Sequence, residues 1–506
     1  MTSQTDGSII TTDIAIIGSG MGGGTLAYAL RNRGAKVLII ERGGYLPREP
    51  ENWSPTAVFA DLRYKTTEEF LDGRGRPFRP GIFYGVGGNT KSYGAALPRL
   101  RRQDFGVIET GEGVSPAWPI TYEDLEPYYG QAERMFAVHG SADLDPTEPP
   151  RSTPYPFPPV AHEPVIAELA DNLAGQGLHP YPMQLGIDIR EGGACVRCAT
   201  CDGFPCQLLA KSDAETCAVT PALESDDVSL MTNARALLLR TDPTGRRITG
   251  IEIDHNGQRR VVVAKTYVLA TSAINSAAML LRSATDRHPR GLANSSGLVG
   301  RGLMKHQNTA LMAVGPKRNP VVFQKTLAMN DWYLGDGKSH LPLGNAQMLG
   351  KLQPGMLAMS VPFVPQRALA EVAGRSIDWL AMSEDLPDPD NRVTLDASGR
   401  IVMRWQPNNT IGHKKLVKAL SSAMRRAGYP LIQSRAFDYG MIAHQCGTLR
   451  FGDDPATSVL DPLCRTHDVD NLYVMDASFM PSSGAQNPAL TIAAQALRVA
   501  EKANFN

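Results

Sequence analysis

Four groups of residues in this chain have types and spacings that could do chemistry. The first is Gly18-Ser-Gly20-Met-Gly-Gly23, with Glu41 following 23 residues after Gly18. In such a unit the first glycine permits a tight turn, the second lets a pyrophosphate approach the backbone, and the third lets a helix pack on a strand. The phosphate is favoured by free N–H groups and the dipole at the helix start. The acid is placed to accept hydrogen bonds from a ribose diol. The second group, Cys195-x2-Cys198-x2-Cys201-x4-Cys206, crowds four thiols into twelve residues. Four thiolates in one loop could bind an iron–sulfur cluster or zinc. The spacing is one residue longer at its end than the bacterial ferredoxin run, with Gln207 in place of proline. Disulfides, or reduced thiols packed as small hydrophobes, account for it equally. The third is His444-Gln-Cys-Gly-Thr448, whose imidazole is largely neutral near pH 7 and can take a proton. It is one of ten histidines; His306, in Leu303-Met-Lys-His306, is a weaker candidate that a packed or surface histidine explains as well. The fourth is Gln486-Asn487-Pro488 before an alanine-rich run, where asparagine ahead of proline reads as a helix cap.

These groups need elements to hold them. Asp13–Ile17 predicts a buried strand, Thr25–Arg33 a helix stopped at Gly34, and Lys36–Ile40 a second strand ending on Glu41. This unit binds the ADP part of FAD or NAD and does not choose between them. Tyr84-Gly-Val-Gly-Gly-Asn89-Thr-Lys-Ser-Tyr-Gly94 is a second glycine block. Its glycines allow close backbone approach to a flat or charged ligand, although a surface loop would read the same way. Val261–Leu269 and Asn471–Met475 predict further strands, the latter leading to Asp476-Ala-Ser478, and a helix runs from Pro488 to about Ala503. Residues 140–190 carry seven prolines between Pro146 and Pro159 and read as an extended crossing loop that wraps a ligand or makes an oligomer contact. Residues 311–440 alternate short apolar stretches with turns and contain a helix from about His413 to Arg426, which fits an antiparallel sheet backed by helices.

Composition narrows the function classes. The 506 residues carry 51 basic and 51 acidic side chains, so there is no general attraction to nucleic acid or anionic membrane. No stretch reaches the ~18 uncharged apolar residues of a membrane span. The segment Met1–Ile10 is polar and lacks the basic and apolar regions of a secretory signal, which makes a cytoplasmic location the expectation. Seven cysteines are too few for a disulfide scaffold.

In their order along the chain these motifs resemble the glucose–methanol–choline (GMC) oxidoreductases, a family of FAD enzymes. The resemblance rests on the N-terminal glycine unit, the Gly-Val-Gly-Gly-Asn89 block and Trp118-Pro-Ile-Thr-Tyr-Glu-Asp-Leu-Glu-Pro-Tyr-Tyr129. It extends through Val268-Leu-Ala-Thr-Ser-Ala-Ile-Asn-Ser276, the His444 motif and the segment Asp476 to Asn487. The pyranose-oxidase-like and bacterial sugar or alcohol oxidoreductase branches are the most similar, with a His/Asn catalytic pair. The resemblance implies an α/β chain with a discontinuous Rossmann-like FAD-binding domain in residues 1–155, 207–310 and 441–506. Residues 156–206 would then form the crossing loop with the cysteine cluster, and 311–440 the substrate domain built on an antiparallel sheet. It further implies His444 and Asn487 as catalytic residues. Cofactor contacts are implied for Gly18, Gly20, Gly23, Glu41, Arg42, Gly87, Gly88, Asn89, Asp476, Ala477, Asn487 and Pro488.

The activity implied is oxidation of a CH–OH group of a sugar, glycoside or other alcohol to a carbonyl, with His444 as base and hydride passing to flavin N5. Oxygen, a quinone or a redox protein would accept the electrons. Some GMC-like dehydrogenases carry an iron–sulfur cluster in a region comparable to Cys195–Cys206. The alternatives are a lyase that uses FAD structurally and a flavin-binding protein without turnover. Two departures from the family pattern stand out. Ser92 occupies the position where some relatives attach FAD to a histidine, so non-covalent FAD is expected, and Ala277 replaces the usual proline or serine.

Overall fold

Short β-branched runs, too apolar for a surface, pair side by side into a parallel sheet. Its order is Val228–Met231, Val37–Ile40, Ile14–Ile17, Thr266–Leu269 and Leu472–Val474. Every neighbouring pair is parallel. The middle three strands are buried along their whole length, as expected of a sheet covered on both faces. The computed structural model describes residues 9–335 and 341–505; most of the polar start, Met1–Ser8, lies outside the described residues. Three widely separated stretches of chain supply the sheet, so the Rossmann-like domain is discontinuous.

The helix after the glycine unit spans Met21–Leu30. It starts four residues earlier than the apolar pattern suggests, because the glycines themselves form its first turn. Val261–Leu269 is not one strand. Gln258–Val263 belongs to an antiparallel meander with Ala234–Thr241 and Ile248–His255, and Thr266–Leu269 returns to the parallel sheet. The C-terminal helix covers Ala489–Lys502 and packs against Met21–Leu30 and against Tyr122–Met135. Thr121 caps that last helix, accepting from the Asp124 N–H while Asp124 answers the Thr121 N–H.

A second sheet has six strands in the order Leu431–Ala436, Gln307–Val314, Ser376–Ser383, Asn345–Met348, Leu327–Met329 and Tyr181–Pro182, all antiparallel. The helix Thr410–Arg426 backs it, and Leu416, Leu420, Ala423 and Met424 join Trp379, Ile377 and Leu311 in one buried cluster. Residues 140–190 are not extended throughout. Pro164–Gly175 forms a helix whose Ile166, Leu169 and Leu173 are buried in that same cluster; two prolines and a glutamate before it hid the periodicity. Among the described residues no helix is long and apolar enough to cross a membrane.

The first helix lies so close to the last parallel strand that position 22 has no room for a side chain. A Cβ there would fall 1.9 Å from the Met475 carbonyl oxygen. Gly22→Ala therefore forces the helix off the sheet, and such overpacking typically costs about 1–3 kcal/mol. Denaturant unfolding of the cofactor-free variant checks this: the midpoint falls, and an unchanged midpoint contradicts the packing described.

Candidate active site

The two glycine blocks, distant in sequence, meet at the start of the first helix. The Gly87 N–H donates to Ser19 Oγ at 3.2 Å, and Ser19 Oγ donates to Glu41 Oε2 at 2.6 Å. A Cβ on Gly88 would lie 3.2 Å from the Gly20 Cα. Gly18 (φ +104) and Gly87 (φ +87) adopt left-handed backbone that other residues avoid. Gly23 is excluded from bearing a side chain by the Gly18 carbonyl oxygen, 2.1 Å from its would-be Cβ. Position 20 differs, since a Cβ there meets nothing within 4 Å. The helix start carries no acidic residue and no side-chain cap. Its N–H groups thus face open space suited to an anion.

Glu41 is buried and takes hydrogen bonds from the Ser19 N–H, Ser19 Oγ and the Gly43 N–H, while burial holds its carboxyl above the usual range. Oε1 accepts the Gly43 N–H and keeps capacity for a hydroxyl donor. Arg42 stacks on the Tyr84 ring at 3.8 Å and pairs with Glu68 at 2.9 Å. Asn89 Oδ1 accepts the Phe83 N–H at 2.9 Å, closing the second block on itself. Ser92 Oγ donates to the Asn89 carbonyl at 3.4 Å. Asp476 ends the last parallel strand and is buried. Its Oδ2 accepts from Ser276 Oγ at 2.5 Å, and its Oδ1 from the Ser478 N–H and Oγ. Despite Ala277, residues 273–282 form a helix, and Ala277 is fully buried in it.

The His444 motif is held by backbone pairing. The Gly447 N–H donates to Ala477 O at 3.2 Å and the Leu449 N–H to Ser478 O at 3.0 Å. Gln445 Oε1 accepts the Ile274 N–H at 2.8 Å, and Thr448 Oγ1 donates to Ala273 O at 2.7 Å. The motif's glutamine and threonine therefore fasten it to the start of the helix Ala273–Arg282, one turn from Ser276 and its bond to Asp476.

His444 faces a second histidine. Met304 and Cys446 exchange both backbone hydrogen bonds, 3.0 and 2.9 Å, and this isolated antiparallel bridge brings the segments bearing His306 and His444 together. Their rings meet at 82° with Nδ1 to Nδ1 at 3.0 Å. His306 Nε2 lies 3.2 Å from the Ser483 carbonyl oxygen. His306 is buried and His444 half-buried. Loss of hydration pushes His444 down to about 3, with His306 and Lys325 adding to the effect. His306 falls to about 4 for the same reason, against the pull of the Ser483 and Gly484 carbonyls. Both rings are neutral near pH 7.

Carboxyl groups support this pair from behind. Asp385 Oδ2 accepts the Lys305 N–H (2.9 Å) and Trp405 Nε1–H (2.7 Å), and Oδ1 accepts from the Gln307 amide. It thus grips both flanks of His306, whose φ is +64°. Glu384 Oε1 accepts the Gly484 N–H and fixes the turn that presents the Ser483 carbonyl. The neighbouring Ser482 Oγ accepts from Trp118 Nε1 at 2.7 Å, which gives the Trp118 segment its place in the site.

Asn487 is not a helix cap. The C-terminal helix begins one residue later than the proline pattern suggests, at Ala489, with Pro488 at the cap position and no side-chain cap bond. Asn487 Oδ1 is instead buried without a partner, an arrangement that costs free energy unless a ligand completes it. No hydrogen bond joins Asn487 to His444 among the described residues; His444 is linked through His306 to Ser483, four residues before Asn487.

Among the described residues no group of three or more His, Cys, Asp or Glu is arranged to hold a metal ion. Cys195, Cys198, Cys201 and Cys206 are free and half-buried around a cavity of about 20 Å³. Cys198 Sγ bonds Thr200 Oγ1, and burial pushes the Cys201 thiol up to about 12. The Lys211 ammonium fills the loop, donating to the Tyr93, Cys201 and Phe204 carbonyls. The loop instead delivers Asp202 to Lys325, whose field reaches His444. Gly94 makes room for that ion pair, since a Cβ there would overlap both partners. Sequence spacing did not single out Asp202 or Lys325, because neither sits in a recurring pattern.

Known proteins resemble this chain in sequence and in fold. Family models described as GMC oxidoreductase match residues 178–308 and 387–496, and one described as an NAD(P)-binding Rossmann-like domain matches residues 16–46. The chain is 33% identical to 6'''-hydroxyparomomycin C oxidase of Streptomyces lividus, over 96% of this chain and 90% of that one. It is 27% identical to the fructose dehydrogenase large subunit of Gluconobacter japonicus, over 97% of each. Among solved structures, pyridoxine 4-oxidase from Mesorbium loti superposes with a TM-score of 0.67 at 19% identity, covering 97% of this chain and 99% of that one. Formate oxidase of Aspergillus oryzae gives 0.68 at 14% identity, over 97% and 98%. With the motifs in order, the fold shared and a full-length relative at this identity, the chain belongs to the GMC oxidoreductase family.

Proposed function

We propose that this protein oxidises a CH–OH group of a sugar, glycoside or polyol to a carbonyl with non-covalently held FAD, His444 accepting the hydroxyl proton. The observation that carries this reading is a neutral His444 tied by backbone pairing to the segment bearing Asp476, which itself abuts the glycine helix. The relatives named above are oxidases and dehydrogenases, which favours redox chemistry over a lyase.

The residues fit FAD: the open space at Gly20, the spare acceptor on Glu41 and the unpaired Asn487 Oδ1 are what a dinucleotide and its substrate would complete. Gly18, Gly20, Gly23, Gly87, Gly88 and Asn89 would hold it, with Glu41 on the ribose, Asp476 and Ala477 at the strand end, and Pro488 at the start of the C-terminal helix. FAD supplies the hydride acceptor. His444 Nε2 has no hydrogen-bond partner among the described residues, so it can meet a hydroxyl. The O–H bond breaks, the proton goes to the imidazole, and the oxygen's electrons form the carbonyl as hydride leaves the carbon. Asn487 would hold the reacting oxygen by its amide N–H, a bond that strengthens as negative charge develops. The electron acceptor is oxygen, a quinone or a redox protein.

His444→Ala should lower turnover with an alcohol donor by roughly 10²–10⁴-fold, the usual weight of a general base, while FAD stays bound; turnover near wild type would remove His444 from this role. Unfolding the holoenzyme in acid should release all FAD into the protein-free supernatant, since Ser92 offers no imidazole; flavin retained on the precipitated chain would contradict that. With a pKa near 3, the His444 ring is already neutral at pH 5. Its ring proton resonance, identified by its loss in His444→Asn, should not shift between pH 8 and 5, whereas an exposed ring would titrate near 6.5.

A further inference from the structure

The contacts of His306 fix where the protons lie on the histidine pair. A backbone carbonyl oxygen only accepts, so the His306 Nε2 at 3.2 Å from Ser483 O carries a hydrogen. A neutral ring has one N–H, which leaves His306 Nδ1 with its lone pair. Two lone pairs do not face each other at 3.0 Å, so the hydrogen between the rings belongs to His444 Nδ1. His444 then has its lone pair on Nε2. The opposite arrangement would need a buried imidazolium at position 306, and burial opposes that charge.

We infer that His306 is a positioning residue that holds His444 in the tautomer with Nε2 unprotonated. This rests on His444 being the base. When the substrate O–H bond breaks and Nε2–H forms, the new imidazolium donates from Nδ1 to His306 Nδ1, a charge-assisted bond stronger than the neutral one it replaces. The dipole of the Ser483 carbonyl, passed on through the His306 ring, favours the same charge. The surroundings keep the pair in place: Asp385 pins the backbone at Lys305 and the Gln307 side chain, and Glu384 pins the Gly484 N–H. The Lys325 charge opposes charging of His444, so the positive charge is shared within the pair rather than paired with a carboxylate.

Two substitutions and one spectrum test this. His306→Ala removes the acceptor. His306→Asn keeps an oxygen near the Nδ1 position and suits the left-handed backbone there. We expect His306→Ala to lower kcat about 10–100-fold, as when a histidine loses its orienting partner. His306→Asn should recover most of that loss, with KM and flavin content near wild type in both. In the ¹⁵N-histidine-labelled wild-type holoenzyme, with His444→Asn identifying the signals, His444 should show a protonated Nδ1 and a bare Nε2. A fully active His306→Ala, or equal losses in the two variants, overturns the inference while leaving the reading of His444 intact. Should His444→Ala stay active, the base assignment falls; the nitrogen spectrum still decides the tautomer, and a protonated Nε2 on His444 overturns the inference.

Discussion

An imidazole surrounded by protein cannot carry charge cheaply, and that constraint organises the site. Because His306 and His444 are both held neutral, each ring nitrogen is either a donor or an acceptor, and only one hydrogen lies between them. The neighbouring groups accord with this. The Ser483 carbonyl receives one N–H, while Asp385 and Glu384 turn their oxygens to backbone and side-chain donors around the pair rather than to the rings. A carboxylate against either ring would stabilise an imidazolium at rest and leave no lone pair free to take a proton. The chain instead places the cation Lys325 nearby.

The pair depends in turn on the convergence of three stretches of chain. The parallel sheet takes strands from residues 14–40, 228–269 and 472–474. The His444 motif hangs from the last two through Gln445, Thr448 and the backbone at Ala477 and Ser478. Glycine permits these approaches: Gly22 against Met475, Gly88 against Gly20, and Gly94 beside the Asp202–Lys325 pair. Fold and site share these contacts, so the nucleotide cradle and the imidazole cannot be moved independently. His306 enters from the other side, at the head of the strand Gln307–Val314 of the antiparallel sheet. The histidine contact therefore lies at the junction of the two sheets.

Local pattern revealed what local physics determines. The glycine unit, its flanking strands and Glu41 were legible because a tight turn before a helix demands those residues in that order. His444 and Asp476 were legible through the family's motifs. His306 was undervalued because its partner is 138 residues away, and only the bridge between Met304 and Cys446 opposes them. Lys325 and Asp202 were hidden for the same reason. The proline ahead of the C-terminal helix suggested a cap at Asn487, yet the helix begins at Ala489 and leaves the amide oxygen unpaired. The close cysteine spacing brings all four residues to one cavity, and Lys211 donates to carbonyls of the same loop.

The proposed reaction is the departure of hydride from a carbon that bears a hydroxyl. Anaerobic mixing of the purified holoenzyme with a panel of sugars, glycosides and polyols measures this most directly, with flavin absorbance followed and the product analysed. At least one donor is expected to bleach the flavin completely and to yield one carbonyl product per flavin. A flavin that stays oxidised with every donor, in a protein that is folded and fully loaded, would contradict it.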